Sequence, residues 1–319
     1  MESDAGRSTG EVKGAGGPAP PLRAAGERKP PWIRVAAPSG KECEHLRRLM
    51  RGKKLHTVCE QAVCPNLAEC WRRGAATFLI LGETCTRNCA FCAVKSAKPP
   101  FEPPDPGEPG RLAEAAAAMG LSHVVITSVT RDDLEDGGAL VFAEAVRQVR
   151  GRLPGCAVEV LIPDFRGARA ALATVLDAGP EILGHNLETV ARLYGVARPG
   201  ADYGRSLGLL RLAKELSPST LTKSGLMVGL GEAWGELLEA MSDLRASGCD
   251  ILTLGQYLRP SKAHLPVARY YTPEEFVLLK DAALRLGFRW VESGPLVRSS
   301  YHADEQVRES RAVTRTPPG

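Results

Sequence analysis

The chain has 319 residues, 41 Lys and Arg against 37 Asp and Glu, a formal charge of +4 and 44% hydrophobic residues. That length suits one large α/β domain with appendages, and the small net charge gives no electrostatic case for a nucleic-acid partner. Nine cysteines cannot all pair within the chain; with no apolar leader and no membrane-length run, they read as metal or catalytic groups of a soluble, cytoplasmic protein without a membrane partner.

Residues 1–30 are rich in Gly, Pro, Ala and mixed charge, with little apolar surface to bury, and are expected to be a disordered tail. Order signals begin at Trp32, and Cys43 to Met50 reads as a short helix with Leu46, Leu49 and Met50 as its apolar positions. Cys43 belongs to no cluster spacing and is expected to be structural.

A first cysteine constellation follows in VCEQAVCPNLAECW, placing Cys59, Cys64 and Cys70 at CxxxxCxxxxxC. On one helix Cys64 would point away from the other two, and Pro65 disfavours a continuous helix. The three converge only if the backbone wraps a common object; the alternative is three buried cysteines under an N-terminal cap. A second triplet lies in LILGETCTRNCAFC, with Cys85, Cys89 and Cys92 at CxxxCxxC after a strand-like apolar run ended by Gly82. Thr84, Thr86, Arg87 and Asn88 make this segment polar, which favours a loop over a helix face of buried cysteines. Three thiolates on a loop can hold three corners of an iron–sulfur cube and leave the fourth iron open. A zinc site remains the alternative, although the CxxC pair usual for zinc is absent.

Beyond the cysteines, strand-like runs at Thr77–Leu81, His123–Thr127, Val158–Ile162, Ile182–His185, Leu221–Val228 and Ile251–Leu254 alternate with helix-like segments. Those segments are Arg111–Met119, Leu140–Arg150, Gly167–Asp177, Leu187–Tyr194, Arg205–Leu216 and Ala233–Ala246. Such alternation predicts a parallel sheet with right-handed crossovers and functional groups at the C-terminal strand ends. Polar motifs fall at such ends: Thr127–Asp133, Asp164–Arg166, His185–Asn186 and Gly229–Glu232. Taken singly, each could be a cap or a turn, with Asn186 and Asp132 or Asp133 as cap candidates. His56, His123, His264 and His302 show no metal spacing, and Cys156 and Cys249 are expected in the core.

The CxxxCxxC motif with Phe91 before its last cysteine resembles the radical S-adenosylmethionine (SAM) superfamily. CxxxxCxxxxxC upstream of it resembles the lipoyl synthase family, and the similarity runs from about Leu55 to Ala303. It passes through SVTRDDLEDGG, PDFRG, HNLETV, RPGADY, TKSGLMVGLGE, LTLGQYLRPS and SGPLVRSSYHA. The resemblance implies an open six-unit (β/α) partial barrel at 77–288, a cluster-binding extension at 31–76 and a C-terminal closing segment at 289–319. It implies two 4Fe–4S clusters and SAM as cofactors, with Cys85, Cys89 and Cys92 on the SAM cluster and Cys59, Cys64, Cys70 and Ser300 on an auxiliary one, Ser299 being the alternative. A serine oxygen is harder than a thiolate and would be the weakest ligand of that set.

The SAM contacts so implied are Asn186, Arg198, Lys223, Gly229 and Glu232; Arg198 could equally form a surface ion pair. The implied reaction inserts two sulfur atoms at C6 and C8 of a protein-bound octanoyl-lysine, consuming the auxiliary cluster. Those C–H bonds have no useful acidity, so the chemistry is carried by the clusters and SAM rather than by a catalytic side chain. The implied partners are an octanoylated carrier (a dehydrogenase-complex E2 lipoyl domain or a glycine cleavage H protein), a small electron-transfer protein and an iron–sulfur carrier for cluster repair. Another radical SAM enzyme would share the second triplet but not CxxxxCxxxxxC and RSSY, and an iron–sulfur electron carrier would have the clusters without the polar motifs at the strand ends.

Overall fold

A computed structural model describes residues 29–33, 41–61, 66, 70, 75–301, 303, 305 and 306. The expected disordered tail lies outside them for residues 1–28, as do Cys64, His302 and the side chains of Cys43 and Cys59. Ten strands are described: β1 His56–Thr57, β2 Ala75–Ile80, β3 Thr84–Cys85, β4 Lys95–Ser96, β5 His123–Ser128, β6 Ala157–Leu161, β7 Ile182–Gly184, β8 Leu221–Val228, β9 Ile251–Gln256 and β10 Trp290–Gly294.

Eight strands form one sheet in the order β1-β2-β5-β6-β7-β8-β9-β10, while β3 and β4 pair separately. From β2 to β10 every neighbouring pair is parallel, and only β1 runs antiparallel, with His56 opposite Leu79. Helices on the crossovers, among them Glu108–Ala118, Ala139–Arg152, Arg169–Asp177, Tyr203–Leu216 and Trp234–Ala246, which the alternation predicts, and Pro273–Arg285, which it does not, make this the open (β/α) barrel that the resemblance implies.

The helix-covered faces of the strands are apolar, while the other face also buries Thr77, His123, Glu159, Lys223 and Thr253. Phe78, Ile80, Val124, Ile126, Val158 and Val160 pack with Leu112, Phe142, Val146 and Leu172 of the first three of these helices. Leu226, Val228, Leu252 and Leu254 pack with Leu237, Met241, Phe276 and Leu279. Truncating a fully buried Leu or Phe here costs about 2–5 kcal/mol. Cys156 and Cys249 are buried, as expected.

Two sequence expectations change. The sheet gains a seventh parallel strand, β10, which the run WVESG hid because only Val291 is buried in it. The helix expected at Leu187–Tyr194 does not form; only a 3-10 turn at Ala191–Leu193 and the short helix Tyr194–Ala197 follow. Glu188 takes φ +70, its N–H donates to Gly225 O at 2.8 Å, and its carbonyl accepts from Met227 N at 2.8 Å. Those two bonds make an isolated parallel bridge from Glu188 to Leu226 and, with the left-handed φ, prevent a helix from starting there.

Candidate active site

The cysteine loop begins where β2 ends. Leu81 N donates to the buried Glu108 carboxylate at 2.9 Å, and Leu81 and Gly82 turn the chain with φ of +67 and +88. The loop is then fastened to the strand ends beside it. Thr86 N donates to Thr130 O at 2.9 Å, and Cys85 Sγ accepts from Arg87 N at 3.4 Å and Thr130 N at 3.3 Å.

Arg87, which is buried, reaches two carboxylates at once. Its Nε and one Nη contact Asp132 at 2.8 and 2.9 Å, and both Nη atoms contact Asp164 at 3.0 and 2.6 Å. Asp132 follows β5 and Asp164 follows β6, so one guanidinium pins the cysteine loop across two strand ends. Burial opposes the Asp164 charge, yet Arg87 holds its carboxyl below the usual carboxylate range. Further along, Ala90 N donates to Ala197 O, Leu265 N to Ala90 O, and His264 Nε2 lies 2.9 Å from Cys92 O.

Cys85, Cys89 and Cys92 are half-buried and feel one another's charge. Burial pushes the Cys92 thiol up to about 11, and the neighbouring cysteines add to that. Burial also raises Cys89, against the pull of Arg198 and Arg87. Among the described residues no three His, Cys, Asp or Glu side chains are gathered as around one metal ion. Three neighbouring thiols, with Cys89 under the influence of Arg198 and Arg87 and Cys85 accepting two backbone N–H bonds, suit an electron-rich polynuclear cluster.

Beside the loop stands a polar corner built by β7, β8 and the turn between them. Asn186 Nδ2 donates to Glu188 Oε1 at 3.0 Å and to Ser299 Oγ at 2.7 Å. Gly225 makes room for it, since a Cβ there would lie 3.0 Å from Asn186 Oδ1 and 2.8 Å from Thr253 Oγ1. Arg198 is no surface ion pair: one Nη donates to Asn186 O, Leu187 O and Tyr194 Oη at 2.9, 3.3 and 2.8 Å. Its Nε is buried and has no hydrogen-bond partner among the described residues. Burial raises the Glu188 carboxyl, opposed by Arg198, Asn186 and Arg298. An unpartnered guanidinium N–H next to Cys89 is the kind of donor a ligand carboxylate fills. His185 points inward, with Nδ1 2.9 Å from Ile162 O and Nε2 3.1 Å from Ser206 Oγ, and burial holds it neutral with a pKa of about 4.

Not every expected SAM contact reaches this corner. Lys223 sits five residues before the end of β8, nearly fully buried, with Nζ 2.8 Å from Glu159, and His123 is beside the same carboxylate at 3.5 Å. It therefore neutralises a charge deep in the barrel instead of facing the rim. Glu232 is at the rim, but its carboxylate accepts from Gly229 N at 2.6 Å and Leu230 N at 2.9 Å, so it shapes the glycine turn. Gly229 itself needs glycine, with φ +101 and a Cβ position only 2.2 Å from Gln256 Nε2. Asn186, Asp132 and Asp133 cap no helix: Asp133 pairs with Arg131, and the helix after β5 takes its N-terminal carboxylate from Asp136.

The other triplet is described only in part. Cys59 lies in the short helix Val58–Gln61, and Cys70 N donates to Asn66 O at 2.9 Å. Asn66 Nδ2 in turn donates to Leu296 O at 2.7 Å, bringing this segment to the C-terminal turn that carries Ser299 and Ser300. Sequence reasoning passed over Arg87 and Glu188. The signal for Glu188 was available, since residues i and i+2 on an extended chain share a face, and Asn186 had already been singled out. Arg87 offered no comparable signal, because both its partners are distant in sequence.

The model of the radical SAM superfamily matches residues 79–244, and that of the N-terminal domain of lipoyl synthase matches residues 21–64. A lipoyl synthase of Rubrobacter xylanophilus is 57% identical over 283 residues, covering 89% of this chain and 88% of the relative. One from Symbiobacterium thermophilum is 57% identical over 293 residues, covering 92% and 90%. Among solved structures, methylornithine synthase aligns with a TM-score of 0.51 at 15% identity, covering 90% of this chain and 96% of the other. The hydrogenase maturase HydG aligns with 0.55 at 16% identity, covering 85% and 67%. At those identities the two structures speak for the fold alone.

Proposed function

Because the chain belongs to the lipoyl synthase family of the radical SAM superfamily, we propose that it inserts two sulfur atoms at C6 and C8 of an octanoyl group carried on a lysine of another protein. Its cofactors are SAM and two 4Fe–4S clusters. When bound, these groups supply the electron, the hydrogen-abstracting radical and the sulfur. The chain's own residues hold them, orient them and keep water away.

We read Cys85, Cys89 and Cys92 as the ligands of the SAM cluster, and Cys59, Cys64, Cys70 and Ser300 as those of the second. Arg198 offers its unpartnered Nε to the SAM carboxylate. The Asn186 amide and the Glu188 carboxylate are suited to ribose hydroxyls, whose oxygens can accept from Asn186 Nδ2 and whose hydrogens the carboxylate can take, and the backbone of the Gly229 turn supplies a close wall. Lys223 and Glu232 support the site from behind. Ser299, engaged with Asn186, leaves Ser300 as the serine for the second cluster.

The observation that carries this reading is the Asn66–Leu296 bond, which ties the segment of the first cysteine triplet to the RSSY turn while that turn also touches the Asn186 corner. Two cysteine motifs and one substrate mouth are thereby joined. In domain terms, residues 31–76 hold the second cluster, 77–288 form the barrel with β10 completing its sheet, and the segment closing the mouth starts past Gly294. The carrier is an E2 lipoyl domain or a glycine cleavage H protein; a small electron-transfer protein delivers electrons, an iron–sulfur carrier rebuilds the second cluster, and the setting is the cytoplasm. No described helix is long and apolar enough to cross a membrane.

The test is anaerobic reconstitution with iron and sulfide, then incubation with SAM, reductant and an octanoyl-lysine peptide. Mass spectrometry should show a peptide gaining two sulfurs alongside 5′-deoxyadenosine. Production of 5′-deoxyadenosine without sulfur insertion into any octanoyl-lysine substrate would assign the chain to another radical SAM activity.

A further inference from the structure

Three of the attachments of the C-terminal turn after β10 belong to different parts of the site. Val297 is buried and its carbonyl lies directly on β9, where a Cβ added at Gly255 would come within 2.2 Å of it. Leu296 O accepts from Asn66 Nδ2 at 2.7 Å, on the segment of the first cysteine triplet. Ser299 Oγ accepts from Asn186 Nδ2 at 2.7 Å, in the polar corner beside Cys89.

An amide nitrogen has two hydrogens, and Asn186 commits both, one to Glu188 and one to Ser299. A ligand acceptor that approaches this nitrogen must therefore displace one of them. Glu188 is held by two backbone bonds to β8 and offers a carboxylate oxygen, the stronger acceptor. Ser299 offers a neutral hydroxyl from an irregular turn whose nearest backbone bond is Tyr301 N to Arg298 O at 2.9 Å. Ser299 is the partner that yields.

We propose that Ser299 is a positioning residue that couples the two halves of the site. Latched on Asn186, it holds the turn, and with it the adjacent Ser300, in place; a ligand filling the Asn186 corner releases the latch and loosens Ser300. The inference rests on the reading above, that SAM binds at this corner and that Ser300 ligates the cluster of Cys59, Cys64 and Cys70. It adds an order of events, in which the weakest ligand of the second cluster is freed only after SAM has arrived.

Protein reconstituted with both clusters is mixed anaerobically with a ferrous-iron chelator, with and without SAM, and iron release is followed by absorbance. In the natural chain SAM should speed release from the second cluster about fivefold, the worth of one neutral hydrogen bond. Ser299→Ala should release iron at the faster rate without SAM and gain nothing from it, while Ser299→Thr, which keeps the hydroxyl, should retain the SAM response. Hydrogen exchange over residues 296–301 should rise on SAM addition in the natural chain and be high throughout in Ser299→Ala. An unaltered SAM response in Ser299→Ala, or release indifferent to SAM in the natural chain, would overturn the coupling. A natural chain that takes up iron for one cluster only, or does not bind SAM, would fail the underlying reading and the coupling with it; those two controls come first and keep the failures distinct.

Discussion

Arg87 is the residue on which the cysteine loop depends. It is the shared partner of Asp132 and of Asp164, whose side chain is fully buried. Removing it leaves a buried carboxylate short of its main counter-charge, although Arg205 Nε remains 3.1 Å from Asp164. Arg87→Ala should cost about 3–5 kcal/mol in a denaturant titration at neutral pH, and Arg87→Lys, which cannot bridge both carboxylates with one planar fork, should recover only part. Because the Asp164 pKa is depressed on folding, its contribution is complete above the unfolded value of about 3.9 and is lost as pH falls through the lower folded value. A loss of stability from Arg87→Ala that was equally large in strong acid would contradict this account.

His185 titrates with the opposite consequence for its own charge. Its pKa of about 4 lies below the unfolded value of about 6.5, so between those pH values the unfolded chain binds more protons and stability declines as the pH is lowered. Histidine NMR of the metal-free protein should show this ring neutral down to about pH 4, and a transition near 6.5 would mean that it is exposed. On the proposed assignment the cysteines divide by role. Alanine at Cys85, Cys89 and Cys92 should abolish 5′-deoxyadenosine, whereas alanine at Cys59, Cys64 and Cys70 should spare SAM cleavage and end sulfur insertion, both read by mass spectrometry.

At the scale of elements, two glycines fix how loops meet the sheet. Gly229 carries φ +101 at the end of β8, with Arg269 O only 2.5 Å from where a Cβ would stand. Gly229→Ala combines strain of about 1–3 kcal/mol with a clash against backbone, and it should weaken SAM binding measured by equilibrium dialysis. Gly255 lies within β9 and has no φ constraint; its role is the close approach of Val297. Gly255→Ala should therefore lift the C-terminal turn while leaving the barrel folded. Iron analysis should then show the second cluster depleted and the SAM cluster retained. Loss of both clusters together would mean that the turn is part of the barrel's own stability.

Across the whole molecule, both ends of the described chain return to the barrel. Trp32 Nε1 donates to Tyr271 O at 3.1 Å, and Asn66 reaches Leu296 across 230 positions of sequence. Ending the chain after Val297 would remove Ser299 and Ser300 but keep β10 and the Asn66 contact. Such a chain should still cleave SAM and fail to form lipoyl product, and full sulfur insertion by it would rule out both serines as ligands.

The strands, most of the helices, both cysteine triplets and the family were legible in the chain itself, because apolar periodicity and cysteine spacing are local properties. The same local logic misplaced a helix at Leu187–Tyr194 and missed β10 and the helix Pro273–Arg285, while the family resemblance put Lys223 on the rim. Glu188 is bridged to β8 by bonds to Gly225 and Met227, Lys223 is drawn inward by Glu159 on another strand, and β10 becomes a strand by pairing with β9. The attachments of Arg87, Asn186 and Ser299 also join residues far apart in sequence. Only the closed tertiary structure decides them, because hydrogen bonds and ion pairs between distant segments leave no period in the sequence.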